Sequence, residues 1–361
     1  MAGVMTDRDG SLAPVRAAIP ESCYRRSTRR GLRAVAGDVA AYAMVLWAIA
    51  LADRWWIDVP LTLLAGAFVS SLFVLAHDAA HDALTARDGL NRRLALILML
   101  PSMHVRSAWE LGHNRVHHGF TARQGMDFVW HPATLEDWTS MTRAQRLRHR
   151  LEWSVFGAGM YYLREVWWNK MISFRPPRRE AAAIRADRRI VGAFAAAVTV
   201  ATIALGWRWS GPVQGLWLWA QLWVLPFLVF SQVIGWTVHV HHVGPDIPWW
   251  TRQDWTRRRA QTESTTILRM PRMLDLVFHN IFVHVPHHVD TRIPWHRLPE
   301  AAAAIDGALP GTLVDRLFRV RDYVRAVRSC KLYDFGNRRW LTYPPAGASP
   351  HRRSRDLRPY C

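Results

Sequence analysis

The chain has 361 residues, half of them hydrophobic, with 20 Trp, 17 His and a formal net charge of +19. That composition excludes a disordered chain, and three scattered cysteines, Cys23, Cys330 and Cys361, exclude a disulfide framework or a paired-cysteine metal site. The basic excess is nearly all arginine, only Lys170 and Lys331 being lysines, and its blocks between apolar segments fit membrane topology rather than a nucleic-acid surface.

Residues 1–33 are polar and arginine-rich, expected to form a basic cytoplasmic segment that stays flexible to about Glu21 and lacks a signal-peptide core. The first apolar stretch runs from Val35 to Ala52 and holds Asp38 near its start. A short turn with the interfacial pair Trp55 and Trp56 leads to a second stretch, Val59 to Ala76, which ends directly in HDAAH. Each approaches the roughly 20 residues a spanning helix needs. Residues 94–105 are apolar but too short to span and are broken by Pro101, which suits an interfacial or re-entrant segment. After a polar, aromatic and basic region, a second apolar pair follows at Ile190–Leu205 and Leu216–Val238.

The distribution of Arg then sets an orientation. The N-terminus and segments 106–189 and 252–361 fall on the cytoplasmic side of the inner membrane, with the two short turns outside. The expected fold is an all-α integral membrane protein. Four transmembrane helices form two hairpins over residues 34–343, a cytoplasmic helical cap holds a metal site, and residues 344–361 form a disordered tail.

Nearly every histidine lies on that cytoplasmic side. His77 and His81 stand four apart, so on a helix both imidazoles can reach one metal. His113 and His117 repeat the spacing, and His118 projects about 100° round the helix, towards a neighbouring metal. His284, His287 and His288 form a third cluster, with His279 and Asn280 just before it. His239, His241 and His242 follow the last apolar stretch, and their spacing alone does not choose among them. Asp78 and Asp82 are candidates to orient ring N–H groups, or plain helix-end acids; Asp127 is a candidate of the same kind, or a turn residue after Gly125. His104, His131, His149, His296 and His351 are isolated and are read as packing or surface residues.

HDAAH, HNRVHH and HVPHH resemble the three histidine boxes of the membrane fatty acid desaturase family. FHNIFVHVPHHVDTRIP is similar to the acyl-lipid Δ12 branch found in bacteria and plastids, where an HN step precedes the third box and an R-I-P run follows it. The likeness extends from about Leu61 to Pro299.

The resemblance implies an O2-dependent acyl desaturase with two non-haem irons. The eight box histidines, His77, His81, His113, His117, His118, His284, His287 and His288, would be ligands. A ninth would come from the segment after the last span, with His241 chosen and His239 as its rival. Asp78, Asp127, His239, His279 and Asn280 would support them. Trp109, Phe120, Phe278 and Phe282 are candidates to line a kinked tunnel for the acyl chain, with ordinary core packing the more expected role of any single one. No GxGxxG, FAD or cytochrome b5 motif is present, so electrons are expected from a partner. Basic patches suit an acidic ferredoxin, and equally an acyl carrier protein or anionic lipid. The acyl group itself could ride on lipid, CoA or carrier protein. A hydroxylase or acetylenase on the same scaffold is the nearest alternative, and a metal transporter or haem membrane protein the alternative from another class.

Overall fold

The computed structural model describes residues 10–52 and 54–345, so all but the first two residues of the tail expected to be disordered lie outside the described range. A short helix α1 (Ala13–Ala17) and a 3-10 turn (Glu21–Tyr24) lead into α2 (Thr28–Leu51), whose start is capped by the Ser27 hydroxyl accepting from the Arg30 N–H. Helix α3 (Trp55–Ala80) packs beside it. Helix α4 (Asp88–Leu98) precedes an irregular stretch, and α5 (Arg106–Trp109) continues without a break into a π-helical turn over Glu110–His117. Helices α6 (Leu135–Ser140) and α7 (Arg143–Glu152) each open on a threonine capping box.

Helix α8 (Ala158–Tyr161) runs on as π-helix through Tyr162–Ile172. Helix α9 (Ala181–Ser210) packs on α10 (Pro212–Trp219), which passes through a π-helical turn (Ala220–Val224) into α11 (Leu225–His242). That turn sits just before Pro226, whose ring has no N–H to donate and crowds the preceding turn. The remainder comprises α12 (Arg257–Glu263), β1 (Thr266–Arg269), α13 (Arg272–Val277), α14 (His284–Val289), α15 (Leu298–Ala308), β2 (Val314–Leu317), α16 (Val320–Ser329), β3 (Leu332–Asp334) and β4 (Arg339–Leu341). β1 pairs parallel with β2, and β3 antiparallel with β4, so the fold is mostly helical rather than wholly so. The β-branched run Thr265, Thr266 and Ile267 marks the first of these ribbons.

Among the described residues four helices are long and apolar enough to cross a membrane: Thr28–Leu51, Trp55–Ala80, Ala181–Trp209 and Pro212–His242. At 1.5 Å per residue the shortest is about 36 Å long, which exceeds the ~30 Å hydrocarbon thickness. Only 11% of the apolar window is buried in α2 and in α9, against 61% in α3, so α3 is central and the other two turn apolar side chains outward. Such a surface is stable in lipid and costly in water.

Close approach of the central helices depends on glycine. A Cβ on Gly66 of α3 would stand 2.4 Å from Val229 Cβ of α11, and one on Gly235 of α11 would stand 2.4 Å from the Ala158 carbonyl oxygen. Small residues at these crossings let the backbones meet in van der Waals contact, the main source of helix association in lipid.

One difference from the sequence reading concerns the N-terminus, which is docked rather than flexible from Leu12 onward. Leu12, Val15, Ile19 and Cys23 are buried against Leu298, Ala301 and Ile305 of α15 and Val285 and Val289 of α14. Their spacing of three and four residues gives one apolar face, a signal hidden by the arginines around it.

Replacing Gly66 with Leu forces α3 and α11 apart and should cost about 1–3 kcal/mol. Thermal unfolding in detergent should show a clear drop in Tm for Gly66→Leu and none for Gly37→Ala, whose Cβ would meet nothing within 4 Å. Equal melting of both variants would contradict the packing argument.

Candidate metal centre

Helix α3 delivers His77 in its last turn and His81 at its C-cap. The π-helical turn after α5 delivers His113 and His117, with His118 at its end. Helix α11 ends on His239, His241 and His242, and α14 carries His284, His287 and His288. These four strands of chain converge. His77, His81, His113, His118 and His287 bring ring nitrogens within 4.8 Å of one another, and His117, His242 and His288 do the same in a second group.

The division between the groups corrects the sequence reading of the second box. On an α-helix His113 and His117 would share one metal. Here the His118 N–H donates to the His113 carbonyl at 2.9 Å, a bond spanning five residues. The wider turn sets His118 edge-on to His113 and places His117 in the other group. Adjacent His287 and His288 likewise feed separate groups.

Several ring nitrogens face one another at hydrogen-bond distance: His77 Nε2 to His113 Nε2 at 3.2 Å, His113 Nε2 to His118 Nε2 at 3.1 Å, and His118 Nε2 to His287 Nε2 at 3.1 Å. A neutral imidazole offers one donor and one acceptor, so this chain of close nitrogens is poorly satisfied by protons. His81 Nε2, His242 Nε2 and His288 Nε2 are buried without any hydrogen-bond partner. Nitrogens around one first-row metal at about 2.1 Å stand roughly 3–4 Å apart, so a cation fits this arrangement. An all-imidazole donor set suits iron, copper, nickel or zinc over magnesium or calcium.

Second contacts fix the rings of the smaller group. His117 Nδ1–H donates to the Asp127 carboxylate at 3.0 and 3.1 Å, and Asp127 also accepts from the Ala122 and Val129 N–H groups. His242 Nδ1–H donates to the Ser264 carbonyl at 3.0 Å. His288 Nδ1–H donates to Gln261 Oε1 at 2.8 Å, while the Gln261 amide nitrogen donates to the His118 carbonyl, which fixes the amide orientation. Each Nδ1 is thereby a donor and each Nε2 is left as a lone pair. In the larger group, Asp78 lies 3.4 Å from His77 Nδ1 and accepts from the Trp295 N–H at 2.8 Å.

Burial holds His81, His113, His118, His284, His287 and His288 well below the usual imidazole range, and the neighbouring histidines lower them further. They are therefore neutral near pH 7, the form that ligates metal.

Other candidates from the sequence occupy different positions. His241 stacks on His284 at 3.9 Å and belongs to neither group, whereas His242 is within one. His239 lies 4.6 Å from the Trp130 ring, outside both groups. His279 bonds to Asp38 at 2.8 Å and packs on Trp295, and Asn280 donates to the Trp295 carbonyl, so both stand one residue behind Asp78. They adopt φ of 48° and 54°, a turn that extended-strand or helical residues could not make. His104 has both nitrogens bonded, to the Ser102 carbonyl and the Tyr162 hydroxyl, and His149 bonds to the Tyr343 hydroxyl. Gln261 and Ser264 went unseen in the sequence, because a glutamine and a backbone carbonyl far along the chain carry no motif.

An apolar cavity reaches the histidines, with Phe73, Trp109, Phe128, Tyr162, Val166 and Ile234 in its wall and His77, His113, His117, His241, His242 and His284 at its inner end. Trp109 stacks on His113 at 4.2 Å. Of the expected tunnel residues only Trp109 lines it. Phe120 packs by Trp255, and Phe278 and Phe282 pack on one another, because α13 and the loop after it turn those rings into the core. A separate polar cleft reaches His81, His118 and His288 between Arg16 and Arg257.

Asp127→Asn replaces a charged acceptor with a weaker one and should reduce metal affinity about 10–100-fold. Metal content after dialysis against a graded chelator series checks this, with His149→Ala expected to match the parent. Retention of metal by Asp127→Asn at parental levels would contradict it.

Comparison with known proteins bears on this geometry. The family model described as fatty acid desaturase matches residues 53–316. The chain is 26% identical over 323 residues to the sn-1 oleoyl-lipid 12-desaturase of Anabaena variabilis, covering 87% of each. It is 25% identical over 328 residues to the chloroplastic omega-6 fatty acid desaturase of Glycine max, covering 90% of this chain and 74% of that one. It is also 28% identical over 301 residues to the chloroplastic sn-2 acyl-lipid omega-3 desaturase (ferredoxin) of Helianthus annuus, covering 81% and 65%.

Proposed function

The chain belongs to the fatty acid desaturase family and is an oxidoreductase of lipid metabolism, and from that premise we propose that it introduces a Δ12-type double bond into a membrane acyl lipid. The observation that carries the reading is the convergence of two imidazole groups at the inner end of an apolar cavity.

Two non-haem irons fit these groups. His77, His81, His113, His118 and His287 would hold one, and His117, His242 and His288 the other, with His284 beside them, its ring 4.7 Å from His288. We assign the ninth ligand to His242 in place of His241, because its Nδ1 is held by the Ser264 carbonyl and its Nε2 is free. When bound, the metals supply the oxidant that removes hydrogen from an unactivated methylene, a step beyond any side chain. In balance, –CH2–CH2– + O2 + 2 electrons + 2 protons gives –CH=CH– and two waters.

The protein's own part is positional. Asp127, Gln261 and Ser264 lock the imidazoles of the smaller group, and Asp78 helps hold His77. Phe73, Trp109 and Val166 present an apolar wall that admits a chain and excludes bulk water. Two electrons must come from outside, and a ferredoxin-type donor suits a chain of net charge +19; the name of the Helianthus annuus relative supports that choice. Arginine placement supports two helical hairpins in the cytoplasmic membrane with the histidines and both termini on the inner side. The histidines lie at the ends of α3 and α11 and not mid-span, which favours this reading over a transporter.

Lipid profiling of cells expressing the chain with a ferredoxin and its reductase should show a new double bond at C12 of an oleoyl-type chain. Exclusively hydroxylated acyl product would sink desaturation and favour the hydroxylase alternative. In purified variants, His242→Ala should lose about half of the bound metal while His241→Ala keeps it. The reverse pattern would overturn the ninth-ligand assignment.

A further inference from the structure

The outer end of the apolar cavity carries a charge that the metal site does not use. Of the 47 Lys and Arg residues, only two are lysines, and Lys170 lines this cavity. Its side chain is 41% exposed. The histidines His77, His241 and His242 at the inner end are 5%, 1% and 1% exposed. The cavity therefore runs from buried imidazoles to Lys170, where it meets the exterior. Phe128 and Gly112 complete that edge: a Cβ on Gly112 would stand 3.3 Å from Phe128 Cζ, and Lys170 Nζ lies 5.4 Å from the Phe128 ring centre. The nearest acid is Glu165, whose Oε1 is 3.4 Å from Nζ, while its Oε2 already accepts from Arg164 and Asn169.

Position along the chain points to the lipid–water boundary. Lys170 follows Trp167 and Trp168 and precedes Arg175, Arg178 and Arg179, after which α9, one of the candidate spans, begins. Trp and basic residues gather at that level of a bilayer. A lysine there can lay its apolar stem along the cavity wall and keep a compact ammonium in the mouth, where it pairs well with phosphate.

We propose that Lys170 binds the phosphate at the polar end of the acyl substrate and so fixes how far the chain enters, and which carbon pair reaches the metals. This rests on the acyl-chain reading above. The phosphate could belong to a glycerophospholipid or to the phosphopantetheine arm of CoA or a carrier protein; its chemistry towards Lys170 is the same.

Binding is measured with three probes bearing one fluorescent polyene acyl chain, as phosphatidylglycerol, CoA thioester and diacylglycerol, read by energy transfer from tryptophan in neutral detergent. Lys170→Met keeps the stem and deletes the charge. It should weaken the phosphate-bearing probes about ten-fold, the loss of one charge-assisted contact, and leave diacylglycerol unchanged. Lys170→Arg should restore most of the loss, and metal content should be unaltered in both. The tighter of the two phosphate probes on the parent protein identifies the source. Unchanged phosphatidylglycerol and CoA binding by Lys170→Met, or an equal loss of diacylglycerol, would overturn the proposal. Because the readout is binding, failure of desaturation itself would be seen separately, in product analysis.

Discussion

Buried imidazole lone pairs dominate the structure. His77, His81, His117, His118, His242, His284, His287 and His288 are all buried, and several of their nitrogens face only other nitrogens or nothing at all. Leaving such groups unpaired costs on the order of 1–3 kcal/mol each, and protonating them would put positive charges side by side in a low-dielectric interior. Metal ligation would satisfy them together. Much of the surrounding architecture serves to hold that arrangement: the widened turn before His118, the Asp127 carboxylate, the Gln261 bridge and the N-terminal segment packed beneath α14.

The long helices supply the rigidity. Candidate ligands come from the ends of α3 and α11, which meet closely at Gly66, so the two histidine sets are registered by a helix crossing. The same helices form part of the apolar wall, through Phe73 and Val74 of α3 and Ile234, Thr237 and Val238 of α11. The apolar cavity and the histidine groups are thus both positioned by one pair of helices. A shift in their crossing would move both, which explains why a glycine far from the histidines matters to the site.

Much of this was legible in the sequence, and the failures have physical causes. Apolar runs marked the four long helices and the box spacings marked the clustered histidines, while Asp127 read equally as a ring-orienting acid or a turn residue after Gly125. The partition of the second box was missed because HNRVHH reads equally as α- or π-helix, and only the backbone bond from His118 to His113 decides. The choice among His239, His241 and His242 stayed open because one residue along α11 rotates a side chain by about 100°, and nothing local in VHVHH sets that phase. The docked N-terminus was hidden by its arginines, and the short strands by their length. Gln261 became a partner of His288 only through tertiary folding.

The central proposal is that each of the two imidazole groups holds a metal. Iron quantitation with Mössbauer spectroscopy of the protein purified from iron-57-supplemented cells tests this most directly. Two non-haem irons per chain, in two distinguishable nitrogen-rich environments, are predicted. Zinc, haem, or a single iron at full occupancy would contradict it.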